Sequence, residues 1–479
     1  NILIDGEGWT LNGVDFTIWE GFNLTGVSNV TIIDVNIERF ASYSVYLNSA
    51  SECVISRNTV MGSEGGIGLF SSNGNMISDN EISGCSEAVE LVSSSGNVVS
   101  GNNMSDSSSG VYLIRSTSNV VSGNRMTANS RGMYLASANF SAITGNKITA
   151  NTNDGISLYI STGNSISEND VMNNSGGIVL AASTNNSIAG NTVTGNIAGI
   201  RAHGALVNSA YVGSMNNTII GNNVVHNTNG VDVVGVFFTT ISRNYIAENS
   251  QYGITLDNAN NNTISANNIA DNNLGIYYDG LCNNNTAYHN NFFGNAKHVE
   301  VSPGDIDAWD DGVEGNYWSN YTGADLNHDG VGDSWHEIYE NNTDRHPLMG
   351  PFHSFNTTLS KHVNVISNST IESFQYFESN STAIMLVSNM TASQTHGFCR
   401  ISLPYEVMSG PYNVTIDGAF PTYWNYSIYD NGTHKWIYFE YEHSTLKIII
   451  VPEFPSFLIL QLFMIATLLV VIVYRRKRG

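Results

Sequence analysis

One period governs the first two-thirds of this 479-residue chain. An Asn followed within two residues by an apolar side chain recurs at Asn36, Asn58, Asn80, Asn102, Asn124, Asn146, Asn169, Asn191, Asn222, Asn244, Asn267 and Asn290, in steps of 22 or 23 residues broken by one step of 31. A second motif, Gly-Ile-x-Leu or a close variant, keeps the same step, as in Gly66-Ile67-Gly68-Leu69, Gly110-Val111-Tyr112-Leu113 and Gly253-Ile254-Thr255-Leu256. Apolar residues two apart give a short strand one buried face. Such strands, cut by Gly, Asn and Ser turns at this period, make one solenoid coil per repeat. Leucine-rich repeats share the period but need several Leu per unit, which these coils lack. The expected fold is all-β, a right-handed single-stranded parallel β-helix of about 22 residues per coil. Coils stacked ~4.8 Å apart align equivalent residues, so the twelve Asn are expected to form one amide ladder along the axis. Met104 and Met126, in the apolar slot of adjacent coils, are core filler in this frame.

Charge narrows the partners. Lys plus Arg number 18 and Asp plus Glu 41, for a net charge of −23. A surface this acidic repels phosphate backbones and excludes nucleic acid as a partner. Few Lys and about twenty Asn-x-Ser/Thr sequons point to an exported, glycosylated protein. Cys53, Cys85, Cys282 and Cys399 are far apart and form no CxxC, so buried free thiols are expected rather than a disulfide framework or zinc site.

The C-terminal end carries a membrane signal. Residues 456–474 form an apolar run interrupted by Gln461 and Thr467, long enough as a helix to span a bilayer. Arg475, Arg476, Lys477 and Arg478 follow, which places that end in the cytoplasm and the rest of the chain outside. The preceding Pro452-Glu453-Phe454-Pro455 resembles the PEF-type sorting signals of archaeal surface proteins. That resemblance implies a sorting enzyme that exchanges the helix for another anchor. Type-I topology requires an export signal ahead of Asn1. Residues 1–13 already have the pattern of a coil, so an earlier cap is expected as well. Residues 353–450 show short β-rich runs, Tyr412–Ile416, Tyr426–Tyr429 and Trp436–Tyr441, with a turn at Asp430-Asn431-Gly432. They are expected to form a small β-sandwich spacer, joined by a 451–455 linker to the membrane segment.

The end of the solenoid region carries a family resemblance. Trp309-Asp310-Asp311-Gly312, Gly315-Asn316-Tyr317-Trp318-Ser319-Asn320-Tyr321, Asp325 to Asp333, and Asp344-Arg345-His346-Pro347-Leu348 resemble the closing segment of NosD-type β-helix proteins. That family is described as periplasmic and copper-binding, and is related to carbohydrate-binding and sugar-hydrolysing β-helices. The resemblance covers roughly residues 1–352, closing from about residue 296, and implies the fold. It leaves function open, because this fold hosts many roles. Copper wants clustered His, Met or Cys. Of twelve His, only His203 and His226 lie in the regular coils, with His289 at their end, and no His-x-His or Met-x-x-Met occurs. Copper is therefore not expected.

Candidate chemistry lies in four places. The residue before the Leu of Gly-Ile-x-Leu points outward, and that stripe includes Tyr46, Gly68, Glu90, Tyr112, Tyr134, Arg201, Asp232 and Tyr277. Glu90, Tyr112 and Tyr134 are expected to form a shallow glycan-binding strip, with Tyr112 and Tyr134 stacked in adjacent coils. Asp79/Glu81 and Glu168/Asp170 flank anchor Asn residues at i and i+2, on one expected strand face ~7 Å apart. Cross-coil salt bridges to Arg57 and Lys147 account for both pairs without catalysis. Asp325, Asn327, Asp329 and Asp333 present oxygens at positions 1, 3, 5 and 9 around Gly330, a partial match to a calcium loop and equally to an Asx-rich turn. The 31-residue step inserts about nine residues near His203–Met215, a loop of the kind that often carries function. Three function classes remain open: a non-catalytic surface protein that binds glycans, a polysaccharide lyase, hydrolase or epimerase, and a metal-handling accessory protein.

Overall fold

The computed structural model describes residues 2–302, 306–339, 342–442 and 444–453. Two units are distinguished: residues 1–322 with 334–347, and residues 323–333 with 348 onward.

The first unit is a parallel β-helix with three long sheets, two of 14 strands and one of 13. Each coil contributes one strand to each sheet, as in Met76–Ser78, Glu81–Ser83 and Glu87–Val92. Every strand pairs with its equivalents one coil away, so Glu90 stands beside Gly68 and Tyr112, and Tyr112 beside Tyr134. Inward residues form continuous stacks, among them Ile77, Ile82, Val89 and Leu91, each fully buried. Met104, Met126, Cys53, Cys85 and Cys282 are buried too, as is Cys399 in the second unit, and none of the four cysteines is in a disulfide.

The bend between the first and second sheets explains the Asn period. The residue before each anchor takes a left-handed conformation, as at Asp79 (φ 56°), Gly101 (67°), Gly123 (62°) and Gly145 (63°). This turns the chain and aims the following Asn inward. Asn102 Nδ2 donates to the Ile77 carbonyl of the coil before (2.9 Å) and to Asn124 Oδ1 of the coil after (3.0 Å), while its own Oδ1 accepts from the Asn80 backbone N–H (3.0 Å). Each amide thus satisfies backbone groups that the bend removes from the sheets. The ladder runs from Asn58 to Asn290 and ends on Asn316 and then the Asp344 carboxylate. Asn36 stands outside it: it pairs with Thr59 in the second sheet, and Val35 occupies the ladder position instead. The expectation was one residue out there, because Ile37 follows Asn36 directly rather than at the second place. Two further ladders brace the other bends, one through Asn75, Asn97 and Asn119 and one through Asn129, Asn151 and Asn174.

The 31-residue step is an antiparallel hairpin, Ala205–Val207 with Ala210–Val212. Asn208 and Ser209 both have positive φ, the two-residue turn that suits a right-twisted hairpin. The coil then resumes in register.

The second unit holds two antiparallel sheets of five and four strands around a core that includes Val365, Ile401, Ile437, Phe439, Val387 and Ile450. The expected strands appear as Tyr412–Ile416, Tyr423–Asp430 and His434–Glu442. Among the described residues no helix is long and apolar enough to cross a membrane. The apolar run 456–474 and the Phe454-Pro455 half of the PEF motif lie outside the described residues.

Candidate functional site

The three sheets differ on their outer faces. Third-sheet strands are about twice as long as the others, as Glu87–Val92 shows against the three-residue Met76–Ser78. Their second position is a column of glycines, and the reason is close packing. A Cβ at Gly132 would stand 2.4 Å from the Ile148 side chain and 2.5 Å from the Gly155 carbonyl oxygen. Around this column the residue before the glycine faces outward as well, three places ahead of the stripe read from sequence. Contacts between the two rows prove the shared face. The Arg131 guanidinium lies 5.2 Å from the Tyr134 ring centre, Asn229 bonds Asp232 at 3.3 Å, and Lys297 pairs with Glu300 at 2.9 Å.

The result is a continuous polar and aromatic strip. At one end Tyr43, Tyr46 and Phe70 pack together, with ring centres 5.2–5.8 Å apart. The Tyr43 ring crosses Gly65 and Gly68, where a Cβ would strike it at 2.3 and 2.7 Å, and its hydroxyl donates to the Glu90 carboxylate two coils on. Burial and that carboxylate push the Tyr43 phenol up. Glu87, on the same strand as Glu90, is raised by burial and by the like charges of Glu90 and Glu64. Next come Tyr112 and Tyr134, stacked at 5.4 Å and 16°. Asp154 follows Arg131 by one coil and is raised by burial, against the opposing pull of Ser157 and Arg131. Its carboxylate lies over Gly176, where a Cβ would meet it at 2.4 Å.

Each residue singled out in sequence can now be placed. Glu90, Tyr112 and Tyr134 are successive neighbours on the strip, but Glu90 is 9% exposed and already accepts a bond from Tyr43. Stacking also covers one face of each tyrosine ring, leaving edges, hydroxyls and the outer faces. Tyr43, Glu87, Arg131 and Asp154 were missed. Their signal was available: each precedes, by three places, a residue of the stripe already read. Asp79 and Glu168 do not share a strand face with Glu81 and Asp170. Both occupy the left-handed bend, and their partners begin the next strand, so each pair straddles a corner. Arg57 pairs with Asp34 at 2.7 Å rather than with Asp79.

In the second unit Asp325 accepts from the backbone N–H groups of Asp329 (3.0 Å) and Gly330 (2.8 Å), Asn327 donates to Asp329 (3.2 Å), and Asp333 accepts from Leu326 N–H (2.5 Å). These bonds tie the loop to itself, and Val331 N–H adds one Asx turn by donating to Asp329 Oδ1 (2.8 Å). Among the described residues no group of three or more His, Cys, Asp or Glu is placed to hold a metal ion.

The family model for periplasmic copper-binding protein (NosD) matches residues 64–235 and 204–323, which hold the strip from Glu87 onward. The chain belongs to the NosD family. Met104, Met126 and the thiols, the soft side chains that copper prefers, are enclosed in the apolar cores of the two units. No curated protein matches this NosD chain. Among solved structures it is similar to the periplasmic alginate epimerase AlgG (14% identity, 59% of this chain and 77% of that one, TM-score 0.40). It is similar to the Azotobacter vinelandii mannuronan C-5 epimerase AlgE4 A-module (15%, 62% and 88%, TM-score 0.38). A third is the catalytic domain of a GH87 α-1,3-glucanase in complex with nigerose (10%, 60% and 64%, TM-score 0.44).

Proposed function

We propose that this NosD-family chain is an exported surface protein that binds polysaccharide along the outer face of its third sheet, with residues 456–474 as its membrane anchor. The observation that carries the reading is the concentration of function-bearing side chains on one face. Glu87, Glu90, Tyr112, Arg131, Tyr134 and Asp154 adjoin there over four coils. The first sheet presents mainly Ser, Thr and Val at equivalent outward places, as at Val98, Ser100 and Val120, and the second adds exposed charges, Glu81, Arg125, Lys147 and Asp170, without the stacked tyrosines and buried carboxyls of the third. Aromatic rings supply C–H contact to sugars, and the carboxylates and hydroxyls accept from sugar hydroxyls.

A second reading is cleavage or epimerisation at the same strip. It is favoured by Glu87, whose carboxyl is raised by burial and by the charges of Glu90 and Glu64, as a general acid requires. One polysaccharide panel, scored for retention and for new reducing ends or altered sugar configuration, tests both. Retention without turnover supports the binding protein; turnover lost in Glu87→Gln supports the enzyme. No retention of any polysaccharide would remove both.

A further inference from the structure

A second constellation stands on the same face. Asp232 lies four coils beyond Tyr134, ~19 Å along the axis. It is 8% exposed, and Asn229 Nδ2 occupies only its Oδ2, at 3.3 Å. Asn229 Oδ1 is buried and has no hydrogen-bond partner, and Asp232 Oδ1 and Thr255 Oγ1, buried as well, make no well-formed bond to any group beyond each other. Thr255 is the register neighbour of Asp232 one coil on, and Arg201 its neighbour one coil before. Among the described residues Arg201 makes no ion pair with it. A buried oxygen left without a partner costs ~1–3 kcal/mol, so three poorly satisfied ones at adjacent register positions are not what stability alone would leave. Beside them Tyr252 and Tyr277 stack at 5.1 Å and 15°.

The chemistry of these atoms defines a ligand. Amide and carboxylate oxygens only accept, and the threonine hydroxyl can serve either way. A partner must therefore bring donors, and an aromatic platform beside acceptors suits a sugar ring. We propose that Asn229, Asp232 and Thr255, with the Tyr252–Tyr277 stack, form a second subsite that takes a neutral or amino sugar through its hydroxyl or ammonium donors and disfavours uronates. This rests on the glycan-binding reading of the face, but it names a separate place and a ligand class.

The test is calorimetry on the full chain with cellohexaose, maltohexaose, a chitosan hexamer and hexagalacturonate. Asp232→Asn, Thr255→Val and Tyr112→Ala are compared with the unsubstituted chain, and melting curves verify folding. The expected result is binding of a neutral or amino hexasaccharide that falls tenfold or more in both Asp232→Asn and Thr255→Val. If Asp232→Asn does not fold, Thr255→Val decides. Binding weakened by Tyr112→Ala but kept within twofold in Thr255→Val would overturn the second subsite and leave the polysaccharide reading standing. Hexagalacturonate as the tightest ligand would overturn the donor rule. Binding of none of the four overturns the subsite; failure of the polysaccharide panel as well removes the parent reading.

Discussion

The first and third sheets of the solenoid share one chain, one coil spacing and one core, yet they differ in what they show to solvent. A first-sheet strand such as Val98–Ser100 is three residues long and turns short side chains outward. A third-sheet strand such as Arg131–Ala136 is six long and carries Arg131 and Tyr134 on its outer face. Coil stacking needs only the inward residues and the ladders, so the outer faces are free to vary. Buried carboxyls and aromatic stacks accumulate on one of them. Burial without full pairing opposes stability, and such departures from local consistency gather where a protein does work.

The largest expected effect separates the two faces by function. Tyr112→Ala with Tyr134→Ala should abolish retention of any polysaccharide that the unsubstituted chain retains, while Val98→Ala with Val120→Ala should leave it unchanged. Loss in both doubles would show that retention follows general solenoid integrity rather than the strip. The tyrosine pair should matter little to folding, about 1 kcal/mol for lost ring packing.

The ladders, which serve all three sheets, should behave in the opposite way. Asn124→Ala removes bonds to the Val99 carbonyl (2.9 Å), to Asn146 (3.0 Å) and from Asn102 N–H (3.0 Å). It leaves those groups buried, so a loss of about 3 kcal/mol or more is expected by denaturant titration. A loss near zero would mean that water enters the bend and replaces the amide.

Gly132→Val tests the column that makes the third sheet different. The new side chain meets a backbone carbonyl and the Ile148 side chain, and about 1–3 kcal/mol should be lost. Ala88 holds the equivalent place in one coil, so Gly132→Ala should cost less. A neutral valine variant would show that the glycines are not needed to bring two rows onto one face.

Acid should separate the faces again. Burial raises the carboxyls of Glu87, Asp154 and Asp232 above their usual range. The folded state then binds protons more readily than the unfolded chain, so stability from these groups falls as pH rises through their range. Asp232→Asn is therefore expected to melt higher than the unsubstituted chain at pH 7, with the difference vanishing near pH 3. A lower melting temperature at pH 7 would mean that the ionised carboxylate holds this part of the strip together. The smallest effect is expected from calcium. An ion at Asp325, Asn327, Asp329 and Asp333 would compete with the backbone N–H groups for the same carboxylate oxygens, so added calcium should raise the melting temperature of the C-terminal unit by about one degree. A larger rise would show the loop rearranging around the ion.

Repetition made the coil legible before any coordinates. A period carried by Asn and Gly constrains every coil alike, so the solenoid, its stacked interior and the adjacency of Tyr112 and Tyr134 follow from spacing alone. The slip at Asn36 arose where the chain departs from the period by one residue, which a spacing argument absorbs without notice. What tertiary structure decided was conformational. A left-handed bend at Asp79 and Glu168 separates carboxylates that look like strand neighbours. A tight corner built on a small residue, Ser44, Ala88, Gly132 or Gly155, brings Tyr43, Glu87, Arg131 and Asp154 onto a face that strict alternation assigns elsewhere. Whether a polar atom keeps a partner is likewise invisible in sequence, because it depends on side chains from adjacent coils: Glu90 found one in Tyr43, and Asn229 Oδ1 found none.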